Sequence, residues 1–143
     1  MVSAVGEVFE ARVGCEDVVR ASFRLIDEGQ ASASADLYTA DATLVMNSAG
    51  ETRLQGDQIR QAMHQREQTV RATAHLASPL SFELVGPDGA ECDCYLQVYA
   101  LESEPTAPPR LQAVSRVHDV LVRAADGRWQ IAARRITVLA GGR

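Results

Sequence analysis

The strongest feature of the hydrophobic pattern is a pair of long runs near the C-terminal end, Leu111 to Arg123 and Arg128 to Leu139. Val114, Val117, Val120, Val122, Ile131, Ile136 and Val138 supply β-branched side chains that suit a pleated, half-buried surface. Ala124-Ala125-Asp126-Gly127 joins the runs, and Asp-Gly at such a junction predicts a tight hairpin. Each run is longer than an ordinary strand of about 5–6 residues. Strands of that length belong to a strongly bent sheet, with this hairpin at its centre.

Upstream, a different period takes over. Val18, Val19, Ser22, Phe23, Leu25 and Ile26 fall on one stripe at 3.6-residue spacing, predicting a helix from Cys15 or Glu16 that ends at Gly29. Residues 1–14 carry no firm signal and are expected to form an N-terminal arm or a short extra turn, leaving residues 15–143 as one domain. Ala31 to Tyr38 predicts a short second helix, Thr43 to Met46 a strand, and Glu51 to Leu54 its return across Asn47-Ser48-Ala49-Gly50. A third helix starts at Gly56-Asp57 and buries Ile59, Ala62, Met63 and Val70. Ala72 to Leu84 alternates as one long strand with Pro79 at a bulge or edge, and Cys92 to Leu101 predicts another. Glu102 to Pro109 is a proline-rich loop. Helices early and strands late define an α+β domain, in which three helices cover one face of a curved antiparallel sheet. Such a sheet forms a cone, and its mouth is a natural small-molecule site.

Composition narrows the partners. The 143 residues carry a net charge of −5, which argues against nucleic acid or an anionic membrane as a partner. No apolar run approaches the roughly 18 residues of a membrane span. No signal peptide is visible, so a cytoplasmic protein is expected. The chain has no lysine, which removes Schiff-base chemistry and a phosphate-loop lysine. Three cysteines are expected to be reduced thiols rather than a disulfide framework.

The order of elements, together with several local stretches, resembles the SnoaL-like branch of the nuclear transport factor 2 and ketosteroid isomerase superfamily. The matching stretches are Leu25-Ile26-Asp27-Glu28-Gly29, Ala35 to Leu44, Leu54 to Ile59, Thr73-Ala74-His75-Leu76, and Val120 to Arg123 with Asp126 to Ile131. The resemblance implies a cystatin-like α+β barrel and a homodimer formed through the outer face of the sheet. It also implies a cofactor-free cyclase, isomerase or dehydratase, although the superfamily includes binding domains without turnover. Within it, scytalone dehydratase is similar at Asp27, at His75 in Thr-x-His, and at His118, which matches a pocket asparagine. That enzyme's two water-holding tyrosines fall near Ile26 and Met46 here, and its second histidine near Leu101.

These matches set the candidate site. His75 is the expected proton shuttle, Asp27 its orienting carboxylate or itself the base, and His118 a further donor. Tyr38, Tyr95, Tyr99, Arg116 and Met46 are the expected substrate-binding residues, the tyrosines and arginine being able to stabilise an oxyanion. The alternative is that His75 is a satisfied core histidine and Asp27 a helix-end residue, in a domain that binds a ligand or a protein without catalysis. Arg134 and Arg135 point to opposite sides of the last strand, so one of them can enter the covered face. There it would bind an acidic or phenolate ligand, or pair with Asp119 or Glu83. His64-x-x-Glu67 and the pair Cys92 and Cys94 lack the partners of a metal site, and no metal or cofactor is expected.

Overall fold

The structure is a computed structural model and describes residues 4–142. Three helices, α1 (Ala4–Asp27), α2 (Ala31–Ser34) and α3 (Asp57–Gln68), accompany seven strands. The strands are β1 (Tyr38–Asn47), β2 (Glu51–Gln55), β3 (Thr73–Ala77), β4 (Ser81–Leu84), β5 (Gly89–Ala100), β6 (Arg110–Arg123) and β7 (Trp129–Gly141). The sheet runs β2-β1-β7-β6-β5-β3, with β4 also on β5, so the C-terminal hairpin holds the middle as its pattern predicts. Gly127 takes φ +88° in the tight turn between β6 and β7. The helices lie on the concave side of a curved, open sheet, and the core between them includes Val19, Phe23, Ile59, Leu96, Leu121 and Ile131.

Several boundaries differ from the sequence reading, each for a physical reason. Residues 4–14 are not an arm but the first turns of α1, where Ala11 is buried against the sheet. Residues 1–3 lie outside the described residues. The second helix is shorter: after Ser34 the chain tightens into a 3-10 turn, Ala35–Leu37, and Tyr38 already starts β1. Val70 is fully exposed because α3 stops at Gln68. Pro79 splits the long strand in two, since its nitrogen has no hydrogen for the ladder. Ser78 bridges the gap, its N–H donating to Tyr95 O and its hydroxyl oxygen accepting from Tyr95 N–H. The sheet is also mixed rather than purely antiparallel, because β1 pairs with β7 in parallel. The long intervening chain supplies the crossover that parallel pairing needs.

Register shifts bend the sheet at Val98/Tyr99, Val114/Ser115 and Val120/Leu121. A bulge adds a residue to one strand, increases local twist, and reverses which later side chains face inward. The shift near Val120/Leu121 leaves Ala132 without a partner between Ile131 and Ala133. Ile131 therefore faces the core, and so does Arg134, three positions later. Among the described residues, no helix is long and apolar enough to cross a membrane.

Candidate active site

Asp27 is the last residue of α1, and the turn beyond it holds its carboxylate in place. Gly29 adopts φ +79° and donates its N–H to Ile26 O, while Gln30 N–H reaches back to Leu25 O. These bonds satisfy helix-end carbonyls in a Schellman arrangement, and glycine makes the left-handed residue cheap. The carboxylate so fixed meets β3. Asp27 Oδ2 accepts the backbone N–H of His75 at 2.8 Å, and Oδ1 accepts the hydroxyl of Thr73 at 2.9 Å. Oδ1 also lies 2.6 Å from His75 Nδ1. Arg66 extends the chain by donating Nη2 to Thr73 Oγ1 at 3.1 Å.

A carboxylate can only accept, so Nδ1 carries the hydrogen and Nε2 of the neutral ring keeps the lone pair. The Phe23 ring stacks on the imidazole with centroids 5.6 Å apart and planes 14° from parallel, which fixes its tilt. Both oxygens of Asp27 are occupied, so between its two expected roles the contacts suit orienting the imidazole rather than acting as the base.

His75 lines a cavity of about 370 Å³ between the helices and the concave face of the sheet. Its walls are mostly apolar, with Phe23, Ile26, Leu44, Met63, Leu96 and Ile136 among them. The volume falls within the usual range for small-molecule sites, about 300–1,000 Å³. Tyr38 and Met46, both expected to bind substrate, also line it.

A second polar group reaches the same cavity. Arg134 is buried, and its Nε and Nη2 donate to Asp119 Oδ1 and Oδ2 at 2.7 and 2.9 Å. Its Nη1 donates to the Tyr38 hydroxyl at 3.2 Å. Burial works to lower the guanidinium pKa, but the carboxylate of Asp119 outweighs it and holds Arg134 above the ordinary arginine value. Burial pushes the Tyr38 phenol upward, against the pull of the Arg134 charge. Of the two outcomes open for a buried arginine, the structure takes the pairing with Asp119.

His118, Tyr95, Tyr99 and Arg116 are not brought to this cavity. On β6 the inward positions are Ser115, Val117, Asp119 and Leu121, so alternation turns Arg116 and His118 to the outer face. There His118 Nδ1 lies 2.8 Å from Asp93 and Nε2 lies 3.4 Å from Glu91. Tyr95 is exposed beneath the Arg116 guanidinium, 5.9 Å from its ring centre, and Tyr99 is half-buried beyond the cavity lining. Burial works to lower the His118 pKa, but the hydrogen bond and charge of Asp93, with Glu91, raise it overall. A raised histidine contributes stability that is complete below the unfolded value and fades as pH climbs through the folded one. Thermal melts of His118→Asn against the parent are therefore expected to differ most in mild acid and to converge at alkaline pH. A difference that grows with pH would contradict these contacts.

Two residues absent from the sequence-based site, Asp119 as a member and Ser115 on the lining, sit on the face of β6 opposite His118. Glu67 accepts from both the backbone N–H and the hydroxyl of Ser32, which ties α3 to α2 and occupies one half of His64-x-x-Glu67. Cys15, Cys92 and Cys94 are free and buried. Burial pushes the Cys94 thiol up to about 11, so it rests as a protonated core group. Among the described residues, no cluster of histidine, cysteine and carboxylate side chains could hold a metal ion.

A curved open sheet closed by helices over an apolar cavity, with titratable groups inside, is an α+β pocket protein with a cystatin-like fold. The chain belongs to the SnoaL-like domain family, whose model matches residues 7–135. None of the curated proteins matches it. Among solved structures it is similar to an NTF2-like protein with a cystatin-like fold from Novosphingobium aromaticivorans, with a TM-score of 0.79 at 21% identity over 93% of this chain and 84% of that one. ActVI-ORFA from Streptomyces coelicolor gives 0.77 at 17% identity, covering 89% and 96% of the two chains. A second N. aromaticivorans protein, provisionally described as a scytalone dehydratase, gives 0.79 at 15% identity over 94% and 87%. At these identities the likeness establishes the fold.

Proposed function

We propose that this protein is a cofactor-free acid–base enzyme acting on a small, fairly apolar carbonyl compound. The reaction class is the one that isomerisation, dehydration and cyclisation share: a proton is removed next to a carbonyl and delivered elsewhere. The observation that carries this reading is the Asp27–His75 pair on the wall of an apolar cavity. His75 Nε2 takes the proton as a base and returns it as an acid, while Asp27 holds the tautomer and steadies the imidazolium. Family membership and the dehydratase-like neighbour support the same chemistry. Deuterium incorporation into 2-tetralone, a bicyclic ketone with acidic α-hydrogens, tests it without knowledge of the natural substrate.

One observation favours a second reading, a ligand-binding domain without turnover. The positions matched to the dehydratase's tyrosines are Ile26 and Met46, and both present apolar side chains to the cavity. Binding of 2-tetralone with no exchange would select that reading. We also infer a homodimer through the outer face of the sheet, where Leu76, Tyr95 and Val122 remain exposed. Sedimentation at the mass of one chain would contradict it.

A further inference from the structure

We infer that Tyr38, Arg134 and Asp119 form a charge-neutral donor site for a ligand carbonyl oxygen, and that Asp119 sets the cavity's preference for neutral over anionic ligands. The catalytic use of this site rests on the acid–base reading above; the binding preference does not.

Tyr38 is 5% exposed and lines the cavity, and its hydroxyl oxygen accepts from Arg134 Nη1. A phenol has a single hydrogen, and the incoming N–H turns that hydrogen away from the guanidinium. Among the described residues, none accepts it. A buried donor without an acceptor in the fold calls for one from outside, and the cavity is where it can come from.

Charge then decides which acceptor fits. An unpaired guanidinium in an apolar cavity would draw carboxylates and phosphates strongly. Here Asp119 grips Arg134 through both oxygens, and the pair is nearly inaccessible, with side-chain exposures of 2% and 1%. The pair presents no net charge, so a preformed anion docked on it loses its water and gains no countercharge there; the lining's other arginine, Arg71, is solvent-exposed, and water screens its charge. A neutral carbonyl pays far less to enter, and Tyr38 can donate to it through a bond that Arg134 polarises. The ligand class is therefore a neutral ketone or aldehyde, rather than a carboxylic acid or a phosphate ester.

Donor and base border the same cavity, which Tyr38, Arg134 and His75 all line. The Phe23 ring lies 5.6 Å from the His75 ring and 4.4 Å from Arg134 Cζ, so the two groups are at most about 10 Å apart. The Tyr38 ring centre is 5.7 Å from the same Cζ. In the reaction the α-C–H bond breaks and its proton passes to His75 Nε2. The electron pair becomes the enolate, whose oxygen receives the Tyr38 hydrogen bond. Return of the proton from Nε2 to carbon closes the cycle. Tyr38 touches the substrate; Arg134 and Asp119 are positioning residues.

The test compares three probes of matching shape by calorimetry at pH 8: 2-tetralone, tetralin, which lacks the oxygen, and the anion 1,2,3,4-tetrahydro-2-naphthoate. The wild-type protein is expected to bind the ketone at least tenfold more tightly than either. Tyr38→Phe keeps the ring, and is expected to abolish the advantage of the ketone over tetralin while leaving tetralin unchanged. Asp119→Asn is expected to tighten the carboxylate at least tenfold, reversing the charge preference. Where Asp119→Asn does not fold, the wild-type and Tyr38→Phe comparisons decide alone. Absence of ketone binding, a wild-type preference for the carboxylate, or an unchanged ketone advantage in Tyr38→Phe overturns the inference. His75→Ala is expected to retain the ketone preference, so a failure of catalysis leaves this outcome separately readable.

Discussion

Arg134→Met is expected to lower the melting temperature by roughly 10 °C or more. The substitution keeps an unbranched apolar stem but strands Asp119, which is 1% exposed, as a buried carboxylate without its bidentate partner. Breaking such a pair from one side costs about 3–5 kcal/mol, and a domain of this size loses about 2–4 °C per kcal/mol. The penalty belongs to the abandoned charge rather than to the worth of the pair. The double variant Arg134→Met with Asp119→Leu is therefore expected to recover most of the loss. Thermal melts followed by circular dichroism read both outcomes. A single variant as stable as the parent would show that Asp119 finds another partner or water.

His75→Ala is expected to reduce proton exchange on a ketone by about 10²–10⁴-fold, the usual contribution of a positioned general base. Its effect on folding should be small, within a few degrees of the parent melting temperature. The imidazole lies at a cavity wall, with a side-chain exposure of 13%, so its removal enlarges an existing space rather than opening a new hole in packed core. The backbone N–H of residue 75 can still bond Asp27, because that contact does not involve the imidazole. A large stability loss with exchange intact would make His75 a core residue instead. Asp27→Asn separates orientation from basicity: the amide can place its N–H toward Nδ1 and force the hydrogen onto Nε2. Exchange should then fall through the wrong tautomer, with ligand affinity little changed.

The same physics explains which parts of this site were readable before the fold was known. Asp27 and His75 come from the resemblance to scytalone dehydratase, and both sit at local landmarks, a helix end closed by Gly29 and the third residue of a strand, where such a match can be made residue by residue. The central hairpin was legible from Asp126-Gly127 and two β-branched runs. His118, which matches a pocket asparagine of the dehydratase, faces outward here; the pattern could not show this, because facing on a strand depends on parity and Val114, Val117, Val120 and Val122 do not share one. The buried neighbours Val117 and Leu121 carry the correct parity, which puts Asp119 inside and His118 outside. Arg134 was harder still. Counting back from the turn, an unbroken ladder would set Ala133 opposite Asp119, and only the unpaired Ala132 moves Arg134 into that place. A bulge of this kind answers to the curvature of the whole sheet, which no short stretch encodes. The parallel pairing of β1 with β7 is similarly non-local, since it depends on how the chain crosses after β1 rather than on either strand alone.

The paired imidazole in the cavity is assigned proton transfer to and from a bound ketone. Deuterium incorporation at the α-carbons of 2-tetralone, followed by proton NMR in buffered D₂O, tests this role most directly. The expected result is a wild-type rate at least a hundredfold above that of free imidazole at equal concentration, with His75→Ala near the background. A wild-type rate no greater than that of free imidazole, in samples where the ketone is bound, would contradict this role.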